Sequence, residues 1–235
     1  MKKLNKRTTY LTNVFLAGIF IIVCLFAFMP EQITPISADN QIDAIYNGSR
    51  EENGISMMFN VYENTEVVNG ILDTLKEYEA KATFFVGGCW ADDNGQTLKR
   101  IVGEGHEIGN HGYFHKDHKV IDSKQNEQEI YMTGVVVESL CGVKPTLFAP
   151  PSGSFSQDTL DVANQLGYKT IMWSKDTIDW RDSDENVIIS RAITQVRSGD
   201  FILMHPKKHT LSALPKIISA YKVAGYRLIT VSENL

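Results

Sequence analysis

Short apolar runs alternate with amphipathic stretches along most of the chain, which is the pattern of repeated strand–helix units. Runs rich in apolar and β-branched residues predict seven strands, at 55–59, 82–86, 107–109, 146–149, 170–173, 201–204 and 227–231. Apolar residues at helical spacing predict helices near 68–78, 98–102, 188–196 and 214–221. Such units indicate a parallel sheet, either a (β/α) barrel or an open doubly wound sheet, with functional residues at the carboxyl ends of its strands.

The first 29 residues combine a basic flank with an apolar segment. Residues 14–29 are almost wholly apolar, and the charges that precede them are Lys2, Lys3, Lys6 and Arg7. This order predicts a signal anchor or a signal peptide over 1–29, with the basic end in the cytoplasm. The length of the segment favours a retained anchor, whereas the small residues within 36–38 offer a cleavage site. Residues 30–53 are polar and predict an extracytoplasmic linker, followed by a folded domain over 54–235.

The composition is that of a globular protein, with 43% hydrophobic and 22% charged residues. The net charge is −5, and outside the basic N-terminus there are 19 basic against 28 acidic residues. The excess of acidic residues outside the N-terminus argues against a nucleic-acid partner, because phosphate contacts need clustered Lys and Arg. Cys24 lies in the apolar segment, which leaves Cys89 and Cys141 as either one disulfide or two separate thiols.

Histidines follow two of the predicted strands. His111 and His115 come after the third strand at a spacing of four residues, which places two imidazoles on one side of a helical turn and suits a zinc-type cation. His118, three residues further on, is expected at the surface. His205 closes the sixth strand, where a side chain that titrates near neutral pH is well placed to act as a general acid or base.

Carboxylates and indoles follow the fifth strand. Asp176 and Asp179 lie between Trp173 and Trp180 in the sequence. Buried carboxylates orient a histidine or a cation, and aromatic faces suit sugar rings. Together with Trp90, the two indoles predict an aromatic groove.

Taken in order, these segments resemble the NodB-homology polysaccharide deacetylases, carbohydrate esterase family 4, over about 55–231. The strongest resemblance lies in the stretches 80–87 and 98–111. It implies a distorted (β/α) barrel, and a metal-dependent hydrolase that removes N-acetyl groups from cell-envelope glycans. It also implies that His111 and His115 ligate the metal, expected to be zinc. His205 is then the general acid that protonates the leaving amine, and Asp179 tunes the catalytic groups. The implied substrate-binding residues are Pro150, Pro151, Ser152 and Trp180.

Two motifs depart from the family. Where the family has the base aspartate and the metal-ligating aspartate, this chain has Asn60 and Val61, and Ala149 replaces the arginine of the third motif. An amide has no useful proton affinity near neutral pH, and valine ligates no metal. Activity is therefore expected to be atypical or reduced, since a lost general base typically costs roughly 10²- to 10⁴-fold. Glu63 is a candidate substitute, as ligand or base, and Asn60 is a candidate neutral ligand.

A further departure is Gly112, which replaces the usual hydroxyl residue after the first histidine, so one orienting hydrogen bond is expected to be missing. Two functions remain open from the residues. One is an atypical hydrolase of the cell envelope, and the other is a catalytically inactive, membrane-anchored protein that binds carbohydrate in the aromatic groove. Both place the chain outside the cytoplasm, with an N-acetylated cell-wall polysaccharide as partner.

Overall fold

A computed structural model describes Leu11, residues 42–51 and residues 53–235. Eight strands are present in this part: β1 (Gly54–Val61), β2 (Thr83–Val86), β3 (Glu107–Asn110), β4 (Leu147–Phe148), β5 (Lys169–Thr170), β6 (Lys175–Asp176), β7 (Phe201–Met204) and β8 (Arg227–Leu228). The helices are α1 (Thr65–Glu77), α2 (Gly88–Asp93), α3 (Gly95–Gly103), α4 (Ser123–Cys141), α5 (Gln157–Gln165), α6 (Glu185–Ile193), α7 (Lys208–Val223) and α8 (Val231–Asn234). A short 3-10 helix covers Pro151–Gly153.

All named strands pair in parallel, in the order β5-β4-β3-β2-β1-β7-β6, and β8 pairs with the start of β1. Residues 171–174 carry the chain from one end of this order to the other, since they join β5 to β6. There Ile45 donates its N–H to the Thr170 carbonyl and accepts the N–H of Met172. The arrangement is the predicted distorted (β/α) barrel.

The central strand β1 has different neighbours on its two sides. Met57, Phe59 and Val61 pack in a large cluster with apolar residues of the surrounding helices. Met58 packs in a second cluster inside the barrel, with residues such as Phe85 and Leu203 of the adjacent strands. Side chains alternate along a strand, so Asn60 follows Met58 on the inner side. Its side chain therefore lies at the carboxyl end of the barrel interior.

The predicted strands correspond to seven of the eight observed, and the four predicted helices are present with shifted ends. The two-residue strand β6 and the helices α2, α4, α5 and α8 were not predicted, and α4 is the longest of these at 19 residues. The apolar residues of α4 do not mark one face at helical spacing, because several of them, such as Tyr131, Met132 and Val135, are exposed to solvent. Its sequence signal is instead the capping box formed by Asp122 and Gln125, in which each side chain bonds the backbone N–H of the other residue.

The folded unit begins before the predicted boundary. Residues 42–51 hydrogen-bond to the barrel: Gly48 donates to the Gly199 carbonyl, and Arg50 pairs with the buried carboxylate of Asp200 at 2.7 Å. The compact unit runs from Ile42 to Leu235. The expected start of the domain near residue 54 is therefore too late, because the polar composition of 42–51 concealed backbone pairing with distant strands.

The predicted signal anchor or signal peptide, over 1–29, lies outside the described residues except for Leu11. Among the described helices, none has the length and apolar character needed to cross a bilayer. Cys89 and Cys141 are free thiols, so of the two alternatives for this pair the structure has separate cysteines.

His106 directly precedes β3, at the end of the barrel opposite the carboxyl ends of the strands. Its burial predicts how the free energy of unfolding depends on pH. Burial, with a smaller contribution from the nearby Lys81 ammonium group, lowers its pKa from 6.5 to about 4. The unfolded chain therefore binds more protons than the folded chain between these values, so the free energy of unfolding falls as pH drops from 6.5 towards 4. Replacing His106 by Phe should make that fall smaller in urea denaturation measured across this range. An unchanged slope would contradict the assignment.

Candidate active site

A cavity of about 480 Å³ opens where β1, β3 and β7 end. It contains nine of the residues that the sequence analysis singled out: Asn60, Glu63, His111, His115, Ser152, Trp173, Asp176, Trp180 and His205. The other lining residues are Tyr62, Leu203, Pro206 and Lys207. Segments far apart in the sequence therefore meet at the edge of the sheet where the chemistry was expected.

The two histidines of the HxxxH segment face each other. Their ring centroids are 5.2 Å apart at an interplanar angle of 73°. His111 is 2% exposed, and its Nδ1 donates to the Ala149 carbonyl at 2.7 Å, which leaves Nε2 as the unprotonated nitrogen. Burial lowers the pKa of His111 to about 3, with a further contribution from His115, and burial also lowers the pKa of His115. Both rings are therefore neutral near pH 7, as metal ligands and hydrogen-bond acceptors must be.

The loop between these histidines is held by a buried carboxylate. Glu129 on α4 is 3% exposed and accepts the backbone N–H groups of Tyr113 at 2.9 Å and Phe114 at 2.6 Å. Its other oxygen lies 3.2 Å from the Lys116 ammonium group. Because α4 was not predicted, this support for the loop was not found from the sequence.

Gly112 and His118 pack together below the same loop. Gly112 has φ +70°, and a Cβ there would lie 2.9 Å from His118 Nε2, so a side chain in place of the glycine would meet both backbone strain and a clash. His118 is fully buried, and its Nδ1 lies 2.6 Å from Asn126 Oδ1. The prediction that His118 lies at the surface is wrong, because Asn126 of α4 and Phe148 of β4 pack against its ring.

His205 and Asp179 form a tightly bonded pair. Asp179 is 1% exposed and accepts from His205 Nδ1 and from the His205 backbone N–H, each at 2.7 Å. It also accepts from the Thr210 hydroxyl at 2.6 Å. A carboxylate at Nδ1 fixes the tautomer and orientation of an imidazole. Asp179 therefore lies behind His205 as an orienting group, while His205 itself lines the cavity.

The two substituted positions of the first motif point in different directions. Asn60 lines the cavity, is 5% exposed, and its Oδ1 has no hydrogen-bond partner among the described residues. Val61 is fully buried in the apolar cluster between the sheet and the helices. Neither position supplies a carboxylate to the two histidines.

Glu63, the candidate substitute, is bonded elsewhere. Its carboxylate pairs with the Lys207 ammonium group and accepts from Asn64 Nδ2 at 3.2 Å, and 55% of the side chain is exposed. Within the described part of the chain, no three His, Cys, Asp or Glu side chains are arranged to hold a metal ion. The donors at hand are two imidazoles and one neutral amide oxygen, which do not match the two histidines and one carboxylate of the family's site.

The expected substrate-binding residues separate into two groups. Ser152 and Trp180 line the cavity, whereas Pro150 and Pro151 are buried beside it. Trp90 is 6% exposed and donates to the Thr65 hydroxyl at 3.0 Å, so its inclusion in the aromatic groove is wrong. The short helix α2 places this indole in the core instead, where Trp90 packs in the large apolar cluster.

Tyr62 is a cavity residue that the sequence analysis missed. Its ring lies 5.1 Å from the His115 ring, and burial, together with the nearby Cys89, raises the pKa of the phenol. The available signal was its position directly after Asn60 and Val61, where the family motif ends in glycine. Three aromatic rings therefore line the cavity, those of Tyr62, Trp173 and Trp180.

The Tyr62 ring depends on the absence of a side chain at Gly87. A Cβ at Gly87 would lie 2.3 Å from Tyr62 Cδ2, although the backbone there (φ −71°) suits any residue. Gly87→Ala should therefore displace the ring and lower the free energy of unfolding by about 1–3 kcal/mol in urea denaturation. The matched control is Gly103→Ala, where a Cβ meets nothing within 4 Å and where we expect no loss. Equal stabilities of the two variants would contradict this packing.

Comparison with known proteins identifies the family. Residues 47–171 match the family described as "Polysaccharide deacetylase", and the chain belongs to this family. A peptidoglycan-N-acetylglucosamine deacetylase of Bacillus cereus is 34% identical over 70% of this chain and 80% of its own length. The protein YlxY of Bacillus subtilis, described as uncharacterized, is 37% identical over 82% of this chain, which spans 60% of the length of YlxY.

Solved structures include a relative with the same fold that is described as a pseudoenzyme. A family 4 carbohydrate esterase described as a pseudoenzyme from Bacillus anthracis has a TM-score of 0.80 and 34% identity, over 83% of this chain and 70% of its own. A mutant of that pseudoenzyme, described as having restored enzymatic activity, has a TM-score of 0.80 and 32% identity, over 83% and 72%. The chain is thus an atypical member of the peptidoglycan deacetylase-like proteins.

Proposed function

We propose that this protein binds N-acetylated cell-wall glycan in the cavity, on the outer side of the cytoplasmic membrane, and deacetylates it far more slowly than members with a complete first motif. The observation that carries the proposal is that the cavity contains some of the family's catalytic groups and lacks others. The acid pair His205–Asp179 and the two histidines are in place, whereas Asn60 and Val61 supply neither a general base nor an anionic ligand.

In the family reaction a divalent cation polarises the acetamide and its attacking water when it is bound. The described donors of this chain lack the carboxylate that would complete its site. His205, oriented by Asp179, is placed to give a proton to a departing nitrogen. Glu63 pairs with Lys207, Asp179 pairs with His205, and Asp176 on the cavity wall accepts the N–H of Ile178. Among the described residues, none of these carboxylates joins the two histidines in an arrangement that could hold a metal ion.

The nature of the cavity walls supports a sugar ligand. Tyr62, Trp173 and Trp180 present aromatic surface, which suits the apolar faces of pyranose rings. Trp180 remains 55% exposed, as expected of a group that is covered only when a ligand binds. The same relatives that share the fold include enzymes named for N-acetylglucosamine in peptidoglycan, and this supports an N-acetylated glycan as the partner. The predicted N-terminal anchor supports the location.

The test combines metal retention with glycan binding by the full chain. We expect little zinc to be retained after zinc supplementation and desalting. The tetramer of N-acetylglucosamine should bind with similar affinity to the wild type and to a His111→Ala, His115→Ala double variant, because no metal is needed for binding. Acetate release should be slow in both. Near one zinc per chain, lost in the double variant together with acetate release, would contradict the proposal and establish an efficient metallohydrolase.

A further inference from the structure

Two side chains of the cavity wall offer hydrogen-bond acceptors to a ligand. Asn60 is 5% exposed and lines the cavity, and its Oδ1 has no hydrogen-bond partner among the residues that the structure describes. His111 Nδ1 donates to the Ala149 carbonyl, which leaves its Nε2 as an acceptor. A buried acceptor without a partner destabilises a fold, so native proteins rarely keep one without a reason. The wall therefore suits a ligand that donates hydrogen bonds.

A carboxylate lies on the same wall. Asp176, at the end of β6, is partly exposed, and its Oδ1 accepts the N–H of Ile178 at 2.7 Å. Within the described residues this carboxylate has no other hydrogen bond and no basic partner. The nearby Arg181 pairs instead with Asp182, at 3.0 Å. Asp176 is thus an anion that a ligand can reach.

The other ionic groups of the cavity do not balance this charge. Glu63 and Lys207 form an ion pair with no net charge. The two histidines of the HxxxH segment are neutral near pH 7, since burial lowers the pKa of both. His205 has a buried carboxylate of its own, that of Asp179. The charge of Asp176 therefore leaves the wall negative, and a negative wall attracts a cation.

We propose that the cavity binds the ammonium group of a de-N-acetylated amino sugar, with Asp176 as its counterion and Asn60 Oδ1 as an acceptor. This inference rests on the proposed function, because it concerns the same type of glycan in the same cavity. A primary ammonium group has three N–H donors and no acceptor, which matches a wall that offers acceptors and a negative charge. Amide hydrolysis of an acetamido sugar is the reaction that supplies this ligand.

An acetamido group fits the same wall less well. It is neutral and donates a single N–H, so it gains nothing from the charge of Asp176. Its carbonyl oxygen is an acceptor and needs a donor or a cation. In the family that cation is the metal ion, for which the described part of this chain has no three-ligand arrangement. The acetylated glycan still binds through the aromatic walls, but those contacts are common to both sugars.

The indoles on either side of Asp176 in the sequence also favour a cation. Trp173 and Trp180 line the cavity, and the face of an indole attracts a cation electrostatically. The guanidinium group of Arg181 lies 5.7 Å from the centroid of the Trp180 ring, so this indole already contacts one cation. Trp180 is 55% exposed, and a ligand beside it keeps part of its hydration. The desolvation that opposes burial of a charge is therefore limited here.

The experiment measures binding of four probes to the full chain by calorimetry, at slightly acidic pH and physiological ionic strength, which screens distant surface charges. Three probes are the β-1,4-linked tetramers of glucosamine, N-acetylglucosamine and glucose. The wild type should bind the glucosamine tetramer at least about tenfold more tightly than the other two. The fourth probe, a lysine tetrapeptide, carries ammonium groups without pyranose rings and should bind about tenfold more weakly than the glucosamine tetramer.

Three variants locate the effect. Asp176→Asn removes the charge and keeps an oxygen for the Ile178 N–H, and should weaken binding of the glucosamine tetramer about tenfold while leaving that of the acetylated tetramer unchanged. Asn60→Ala should also weaken binding of the glucosamine tetramer, since it removes the acceptor. The charge-matched control Glu127→Gln, on the exposed side of α4, should bind all four probes as the wild type does.

The outcomes separate the two proposals. If the wild type binds the acetylated or the glucose tetramer as tightly as the glucosamine tetramer, the inference is overturned and the proposed function stands. No binding of any sugar tetramer would overturn both. Equal affinity for the lysine tetrapeptide would contradict recognition of an amino sugar. An Asp176→Asn variant with native circular dichroism and unchanged affinity for the glucosamine tetramer would overturn the role of Asp176. If that variant does not fold, the comparison of the tetramers on the wild type and on Asn60→Ala decides.

Discussion

Replacing Asn60 and Val61 together by aspartate is expected to raise the rate of acetate release from N-acetylated glycan by at least about 10²-fold. Asn60 already lies in the cavity with the two histidines and His205, so a carboxylate at this position is placed to act as a general base. The second aspartate adds the anionic ligand that the two imidazoles lack if its carboxylate turns towards them from the apolar cluster in which Val61 lies. Zinc retention after desalting should rise in parallel with the activity.

The position of Val61 determines how this experiment is designed. Its side chain is fully buried in the apolar cluster between the sheet and the helices, where an unpaired carboxylate is costly. Val61→Asp alone should therefore be less stable than the wild type without metal, and addition of zinc should recover stability if the carboxylate turns towards the histidines.

The matched control is the double variant Asn60→Asp, Val61→Asn. It has the same base and nearly the same shape at position 61, but no negative charge there. We expect it to retain less zinc and to release less acetate than the double aspartate variant. Stoichiometric zinc in the double aspartate variant with no gain in acetate release would show that the first motif is not what limits catalysis.

Removing the Asp179 carboxylate is expected to lower the free energy of unfolding by about 3–5 kcal/mol. Asp179 is 1% exposed and accepts three hydrogen bonds, from two groups of His205 and from the Thr210 hydroxyl. Asp179→Ala leaves all three donors without their acceptor in a buried place, and the imidazole of His205 loses the group that orients it. Urea denaturation of the full chain measures the loss.

Two further variants show whether the hydrogen-bond network or the negative charge of Asp179 is responsible for the loss of stability. Thr210→Val removes one donor and keeps the carboxylate, and should cost only about 1 kcal/mol. Asp179→Asn keeps the shape but cannot accept all three bonds, and should be intermediate. If Asp179→Ala were no less stable than Thr210→Val, the pair would not be a structural element of the barrel, and Asp179 would act only on His205.

The cavity retains the His205–Asp179 pair but lacks the two carboxylates of the family's first motif. The acid pair is bonded into the core between β6, β7 and α7, so its loss would disturb the fold as well as the chemistry. Asn60 and Val61 occupy the end of β1, where substitution changes the chemistry of the cavity and leaves the strand paired with β2. Loss of the base and the ligand is thus compatible with a stable barrel that still binds a sugar.

The sequence by itself determined the order of strands and helices and the edge of the sheet that holds the site. Buried parallel strands are short apolar runs, and β1, β2 and β7 are such runs. Motif residues that follow different strands also lie close together in the fold, since the carboxyl ends of parallel strands meet at one edge of the sheet. For that reason Asn60, His111, His115 and His205 were found without coordinates.

Only the tertiary structure decided which groups are free to act. Whether Glu63 is available depends on Lys207, 144 residues away in the chain, and the burial of His118 depends on helix α4, whose weak apolar pattern hid it. The missing partner of Asn60 Oδ1 likewise depends on the directions taken by side chains from several strands. Patterns along a chain record which residues are buried, but the pairing of polar groups is set by contacts between distant segments, which no local pattern contains.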